Sequence, residues 1–201
     1  MTDNSLRKKD GDVLRVTIGI EDYLDTTTID LTDKAYAGTK RTVVSIPARV
    51  IARAYSGNII IKGKDFTLTL NPKAFDTSKA QQHKDRDDAG VRFEVTPYDG
   101  SLDLAGKTSL SPQYTLKSEF FLGTEATGID QFASPIELVM EYDKAKADLR
   151  KLDDVALYRY DGYAGEWIHI SQRLTKDSFT VKAVLNRAGR YAIIGARGDK
   201  Q

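Results

Sequence analysis

Cysteine is absent from the 201 residues, which excludes thiolate nucleophiles, cysteine-ligated zinc, iron–sulfur clusters and disulfide staples together. Stability must come from packing. Charge of one sign is also lacking: 30 Lys and Arg face 29 Asp and Glu, a formal net charge of +1. Such a chain has no global field to attract nucleic acid or an anionic membrane surface, so no nucleic-acid partner is expected. No apolar run approaches the roughly 20 residues that span a bilayer, and Met1 to Leu14 is too charged for the apolar region of a signal peptide. Membrane insertion is not expected. No glycine-rich phosphate loop follows an alternating segment, and neither an internal repeat nor a low-complexity tract is present. With 40% hydrophobic and 29% charged residues, the composition is that of a folded globular unit.

What the chain does contain is alternation. Leu14, Val16, Ile18 and Ile20 alternate with polar residues, the period-2 signal of a strand with one buried face. Thr26 to Leu31 is a second candidate strand, and Val43, Val44 and Ile46 a third, ended by Pro47. The run Pro47 to Tyr55 places Val50, Ile51 and Ala54 on one face of a short helix with proline in its first turn, stopped by Ser56, Gly57 and Asn58. Ile59 to Ile61 and Phe66 to Leu70 flank the hairpin turn Lys62-Gly63-Lys64-Asp65. Asn71-Pro72 caps a further helical turn. Thr77 to Gly90 reads as a solvated loop without a buried face. After Val91, Phe93 and Val95, an irregular stretch from Pro97 to Pro112 carries turn residues. Strands then recur through Tyr114 to Leu122, Ile136 to Met140, Val155 to Tyr160, Trp167 to Ile170, Phe179 to Leu185 and Tyr191 to Ile194, with Asp161 to Gly165 as a hairpin loop.

Roughly ten to twelve short strands and two short helices predict an all-β fold, an antiparallel β-sandwich with over about 35% strand and under about 15% helix. The expected division is a flexible leader over 1–12, one sandwich unit over 13–196 and a tail over 197–201. A split of the unit into sub-domains 13–96 and 113–196 is the alternative. Phe179, Val181, Ala183 and Leu185 share parity and are expected to face the core together.

Few residues offer chemistry. His83 lies among Asp85, Asp87 and Asp88, but the spacing matches no metal loop and Lys84 and Arg86 oppose a cation, so a solvated loop is the reading. His169, between Ile168 and Ile170, fits a sandwich-face imidazole better than a general base. Asp153-Asp154 and the strand pair Glu137 and Glu141 read as surface charge, since nothing signals the cleft that paired catalytic carboxylates need. Arg49 and Arg53, one helical turn apart, are default solvated arginines. The aromatic group Tyr158, Tyr160, Tyr163 and Trp167 stands out, because flat rings stack on sugar faces. Tyr160, Tyr163 and Trp167 are the candidate ligand-binding residues, with Tyr163 the best placed for exposure. Trp167 as a core plug is the competing reading. No catalytic residue, metal ligand or cofactor is assigned.

The chain order carries a resemblance. Val43-Val44-Ser45-Ile46-Pro47-Ala48-Arg49-Val50-Ile51, then a strand pair and Leu70-Asn71-Pro72-Lys73-Ala74-Phe75, is similar to the opening of β-sandwich modules in large bacterial cell-surface proteins. Pro135 to Asp143, the hairpin Leu157 to Trp167, and the closing pair Phe179-Thr180-Val181 and Arg190-Tyr191-Ala192-Ile193 follow in the same order, over roughly residues 40 to 196. Such modules, S-layer-associated and ZU5-like, often sit beside S-layer homology repeats that hold wall polysaccharide. Their autoproteolytic relatives cut at His-Phe-Ser, where this chain reads Arg187-Ala188-Gly189-Arg190-Tyr191, without histidine or hydroxyl nucleophile. The resemblance implies a non-catalytic structural or interaction module of a secreted, wall-associated protein. Its implied location is the bacterial cell surface and its implied partners are neighbouring domains of a larger protein. A carbohydrate-binding module using the exposed aromatics, with polysaccharide as partner, is the alternative.

Overall fold

The computed structural model describes residues 6–19, 26–53, 57–100, 104, 106–152, 154–170, 172–175 and 179–197. Its strands, in chain order, are β1 (Leu6–Asp10), β2 (Val13–Thr17), β3 (Thr27–Asp30), β4 (Arg41–Pro47), β5 (Ile59–Lys62), β6 (Phe66–Leu70), β7 (Ala89–Tyr98) and β8 (Thr108–Ser109). The second half adds β9 (Gln113–Leu122), β10 (Glu125–Gly128), β11 (Gln131–Glu141), β12 (Asp154–Asp161), β13 (Glu166–His169), β14 (Gln172–Thr175), β15 (Thr180–Arg187) and β16 (Gly189–Ala196). Three short helices interrupt them: α1 (Ala48–Ala52), α2 (Thr77–Gln82) and α3 (Lys144–Arg150). Strand makes up 56% of the fold, so the class is all-β. None of the described helices is long and apolar enough to cross a membrane.

The strands form a 10-stranded sheet, in order β1-β2-β4-β7-β9-β16-β12-β13 with β8 and β10 attached, and a 6-stranded sheet, β14-β15-β11-β6-β5-β3. Pairing is mostly antiparallel, but β2 runs parallel to β4 and β3 parallel to β5. The sheets are therefore mixed rather than purely antiparallel, because β2 and β4 are not hairpin partners: β3, in the other sheet, lies between them in the chain. Residues 13–96 and 113–196 interlock in both sheets. β7 pairs with β9 from Ala89↔Leu122 to Tyr98↔Gln113, and β6 pairs with β11.

One buried cluster fills the space between the sheets. Leu116, Phe93 and Val44 come from the long sheet and Leu68, Leu138 and Val181 from the short one. Phe93, Phe75 and Phe132 form a three-ring cluster, Phe93 lying 6.4 Å from Phe75 and 6.3 Å from Phe132 between centroids, and Phe66 meets Tyr114 at 4.5 Å. Burial pushes the Tyr114 and Tyr191 phenols up to about 12, because the interior disfavours the phenolate. The Tyr191 hydroxyl donates to the Arg187 carbonyl at 2.6 Å.

Several local expectations change. Leu6–Asp10, read as part of a frayed leader, pairs with β2 throughout, and the Gly11-Asp12 turn, with Gly11 at φ 59°, closes the hairpin. Thr77–Gln82 is a helix rather than a solvated loop. Asp76 caps it by accepting from the Ser78 and Lys79 amides, while Ala80 alone is buried, packed beside α1. α3 is a second unexpected helix, so of the three α-helices only α1 answers to an expected one, the other expected helical turn being the 3₁₀ turn Pro72–Ala74. Asp143 caps α3, Lys151 ends it at φ 53° and Ala147 is its only buried residue. Pro47 closes β4 and α1 begins at Ala48, whereas Asn71 caps Pro72–Ala74 as expected. Val181, Ala183 and Leu185 face the core, but Phe179 does not. Its φ of 55° turns the ring away before β15 begins, leaving it 41% exposed. Ile20, Ala54, Tyr55, Ser56 and Asp153 lie outside the described residues.

Candidate functional site

Alternation gives the long sheet two faces, and one of them points away from the core. On that outer face register sets Thr115, Arg190, Tyr160 and Trp167 in one row across β9, β16, β12 and β13. The Arg190 guanidinium carbon lies 4.1 Å from the Tyr98 ring centroid, 4.0 Å from that of Tyr160 and 5.5 Å from that of Trp167. Tyr160 and Trp167 are themselves 5.4 Å apart. A guanidinium stacked this way is attracted by the ring quadrupoles while its N–H edge stays free to donate. Its Nε is buried and has no hydrogen-bond partner among the described residues.

The supports of this stack are local. A side chain at Gly100 would run into the Tyr98 ring, its Cβ falling 2.2 Å from Cε1. The Gly100 carbonyl accepts from Gln113 Nε2 at 2.8 Å, which ties the loop behind Tyr98 to β9. Below the stack, Ala156, Tyr158, Ala192 and Ile194 form a satellite cluster, against which Trp167 and Leu104 pack. Trp167 is thus no plug of the main core; it is half-buried on the outer side. At the hairpin tip Asp161 accepts from the Tyr163 and Ala164 amides at 2.9 and 3.2 Å, and these bonds hold its carboxyl below the ordinary aspartate range. The Tyr163 ring is fully exposed. The structure therefore brings Tyr160 and Trp167 together and leaves Tyr163 apart at the tip.

Next to the stack a groove of about 680 Å³ crosses β2, β4, β7, β9 and β16, with Arg190 in its wall. Its floor is set by a second row, Arg15, Val43, Glu94 and Lys117. Two ion pairs span it: Arg41 to Glu94 at 2.5 Å and Arg92 to Glu119 at 2.9 Å. Arg15, Lys117 and Arg190 remain outside the ion pairs formed by the described residues. Asp130 is the third carboxylate of the lining, so five cations face three anions.

Elsewhere several of the charged candidates are held in ion pairs. Asp87 pairs with Arg49 at 2.6 Å, Asp88 with Arg86 at 2.8 Å and Glu137 with Lys182 at 2.5 Å. The His83 ring lies against Phe120, and the His169 ring meets Tyr158 edge-on at 5.5 Å. No three His, Asp or Glu side chains among the described residues are grouped as metal ligands would be. Sequence reading missed Tyr98, Arg190 and the groove cations. They stand far apart in the chain, and only strand order makes them neighbours.

No protein-family model matches the chain, and no curated protein matches it either.

Proposed function

We propose that the chain is a non-catalytic interaction module of a wall-associated bacterial surface protein, working outside the cell, and that its contact surface is the outer face of the long sheet. The carrying observation is the arginine held between Tyr98 and Tyr160 at the edge of a charged groove. A face serving only as a solvated surface gains little from ordering a long side chain between two rings, since that costs rotamer entropy. A face that receives a ligand gains from a donor already held in place. The surface-protein part of the proposal is supported by the resemblance in chain order, from the Ile46-Pro47 element through the Tyr160 to Trp167 hairpin.

Carbohydrate binding is the form of contact favoured by a specific observation, the half-exposed ring pair Tyr160 and Trp167 with the fully exposed ring of Tyr163 at the tip of the same hairpin. Co-sedimentation of the purified chain with bacterial wall material tests the proposal. The expected result is retention by wild type and loss with Tyr98→Ala combined with Tyr160→Ala, in a variant whose circular dichroism is unchanged. Retention unaffected by that double substitution, or no retention by wild type, would overturn it.

A further inference from the structure

We propose that the occupant of the groove is an acidic polysaccharide, a sugar chain bearing carboxylate or phosphate groups, met by Arg15, Lys117 and Arg190. The inference rests on the outer face being the contact surface, and adds the chemistry of what it contacts.

The first ground is charge. The groove carries five cations and three carboxylates, an excess of two on one face of a chain whose total is +1. Two arginines are already neutralised by Glu94 and Glu119, while Arg15 and Lys117 are exposed. Electrostatic complementarity of this kind selects partners by the sign of their charge.

Spacing is the second. Arg15, Val43, Glu94 and Lys117 lie in one row across four adjacent strands. At about 4.8 Å per strand, the backbones at Arg15 and Lys117 are roughly 14 Å apart. A polymer with repeating charges can meet both without either side chain leaning toward the other.

Arg190 supplies the third. Its guanidinium is fixed by Tyr98 and Tyr160, and its buried Nε has no partner among the described residues. Guanidinium is weakly hydrated and matches carboxylate and phosphate oxygens two at a time, so a stacked arginine is already arranged to receive them. The Tyr160 and Trp167 rings beside it supply the apolar surface a sugar ring needs. An excess of two charges is also small for nucleic acid, whose nonspecific binding comes from neutralising many phosphates.

The test is calorimetric titration of the whole chain with polygalacturonate, its fully methyl-esterified form, a phosphomannan and single-stranded DNA. The expected result is binding to at least one of the two acidic glycans, weakened by salt. Which of them binds tells carboxylate from phosphate. Binding to the methyl ester should be at least about tenfold weaker, because the backbone is kept and the charge removed. Arg15→Ala with Lys117→Ala should weaken acidic-glycan binding by about tenfold or more. Lys182→Ala, on the six-stranded sheet, should leave it unchanged. Both positions are exposed, so the double variant should fold as wild type, as circular dichroism will check.

Equal affinity for ester and acid, DNA binding as tight as that of the acidic glycans, or indifference to the double substitution would each overturn the inference. So would failure to bind either acidic glycan. If wall material is nonetheless retained in a Tyr98- and Tyr160-dependent way, the contact surface stands and only its acidic specificity falls.

Discussion

Replacing Phe93 by alanine tests the packing that holds the contact face in place. Phe93 is 0% exposed on β7, and its ring packs against both Phe75 and Phe132 in a three-ring cluster. The substitution removes a full aromatic side chain from the shared core and leaves a cavity walled by two rings. Phenylalanine truncations of this kind cost about 3–5 kcal/mol, and two lost ring contacts place this one toward the upper end. In a domain of this size each kcal/mol moves the midpoint by about 2–4 °C, so the thermal midpoint should fall by about 8–20 °C. Phe179→Ala is the internal control, the same chemical change at a ring 41% exposed. Its cost should stay at about 1 kcal/mol, since it removes a partly exposed ring whose partner is the Lys144 ammonium, 5.5 Å from its centroid. Thermal and urea unfolding of wild type and both variants, followed by far-ultraviolet circular dichroism, measure the contrast. Comparable losses for the two would refute the assignment of Phe179 to the outside. Two separated transitions in Phe93→Ala would refute a single core spanning both halves.

Asp76→Ala removes the side chain that receives the Ser78 and Lys79 amides, and should cost about 1 kcal/mol in the same unfolding assay. Tyr114 and Tyr191 have phenols raised to about 12, above the ordinary tyrosine value of about 10. Across that window the folded state holds protons the unfolded state has lost. Their contribution is therefore intact below about pH 10 and falls as pH rises toward 12. Ultraviolet titration should find these two phenolates forming late, together with alkaline unfolding; ionisation of all ten tyrosines near pH 10 in a still-folded protein would contradict it. The chain should also remain one 22.3 kDa polypeptide on prolonged incubation, since Arg187-Ala188-Gly189 offers no hydroxyl nucleophile. Fragments split near Gly189 in a mass spectrum would overturn that.

Alternation made the faces of most strands legible in the sequence. Val181, Ala183 and Leu185 read as inward and are inward, because a strand repeats every two residues whatever its neighbours. Phe179 shared their parity, but parity ends where the backbone leaves the β region, and a positive φ at a phenylalanine leaves no pattern to read. α2 and α3 were hidden for a different reason. Each buries a single alanine, Ala80 or Ala147, so neither shows an apolar stripe; the capping residues Asp76 and Asp143 were the only signals available. β1 is polar after Leu6 and shows no alternation, and the Asp10-Gly11 dipeptide is its clue. The candidate site was half legible. Tyr160 and Trp167 belong to one hairpin, and hairpin register puts them opposite each other. Arg190 comes to Tyr160 from β16, and Tyr98 comes from β7 two strands beyond. Periodicity gives faces but not strand order, so their meeting could not be read from the chain.

Trp167 is the only tryptophan, and it sits in contact range of both Tyr160 and Arg190. Its fluorescence therefore reports on the proposed contact face and on the small cluster beneath it. Titration of the whole chain with solubilised wall polysaccharide is the direct measurement. A saturable change in Trp167 emission is expected at the concentrations where co-sedimentation occurs, abolished by Tyr98→Ala combined with Tyr160→Ala. Emission that stays constant while the chain is retained on wall material would place the contact elsewhere and contradict the account.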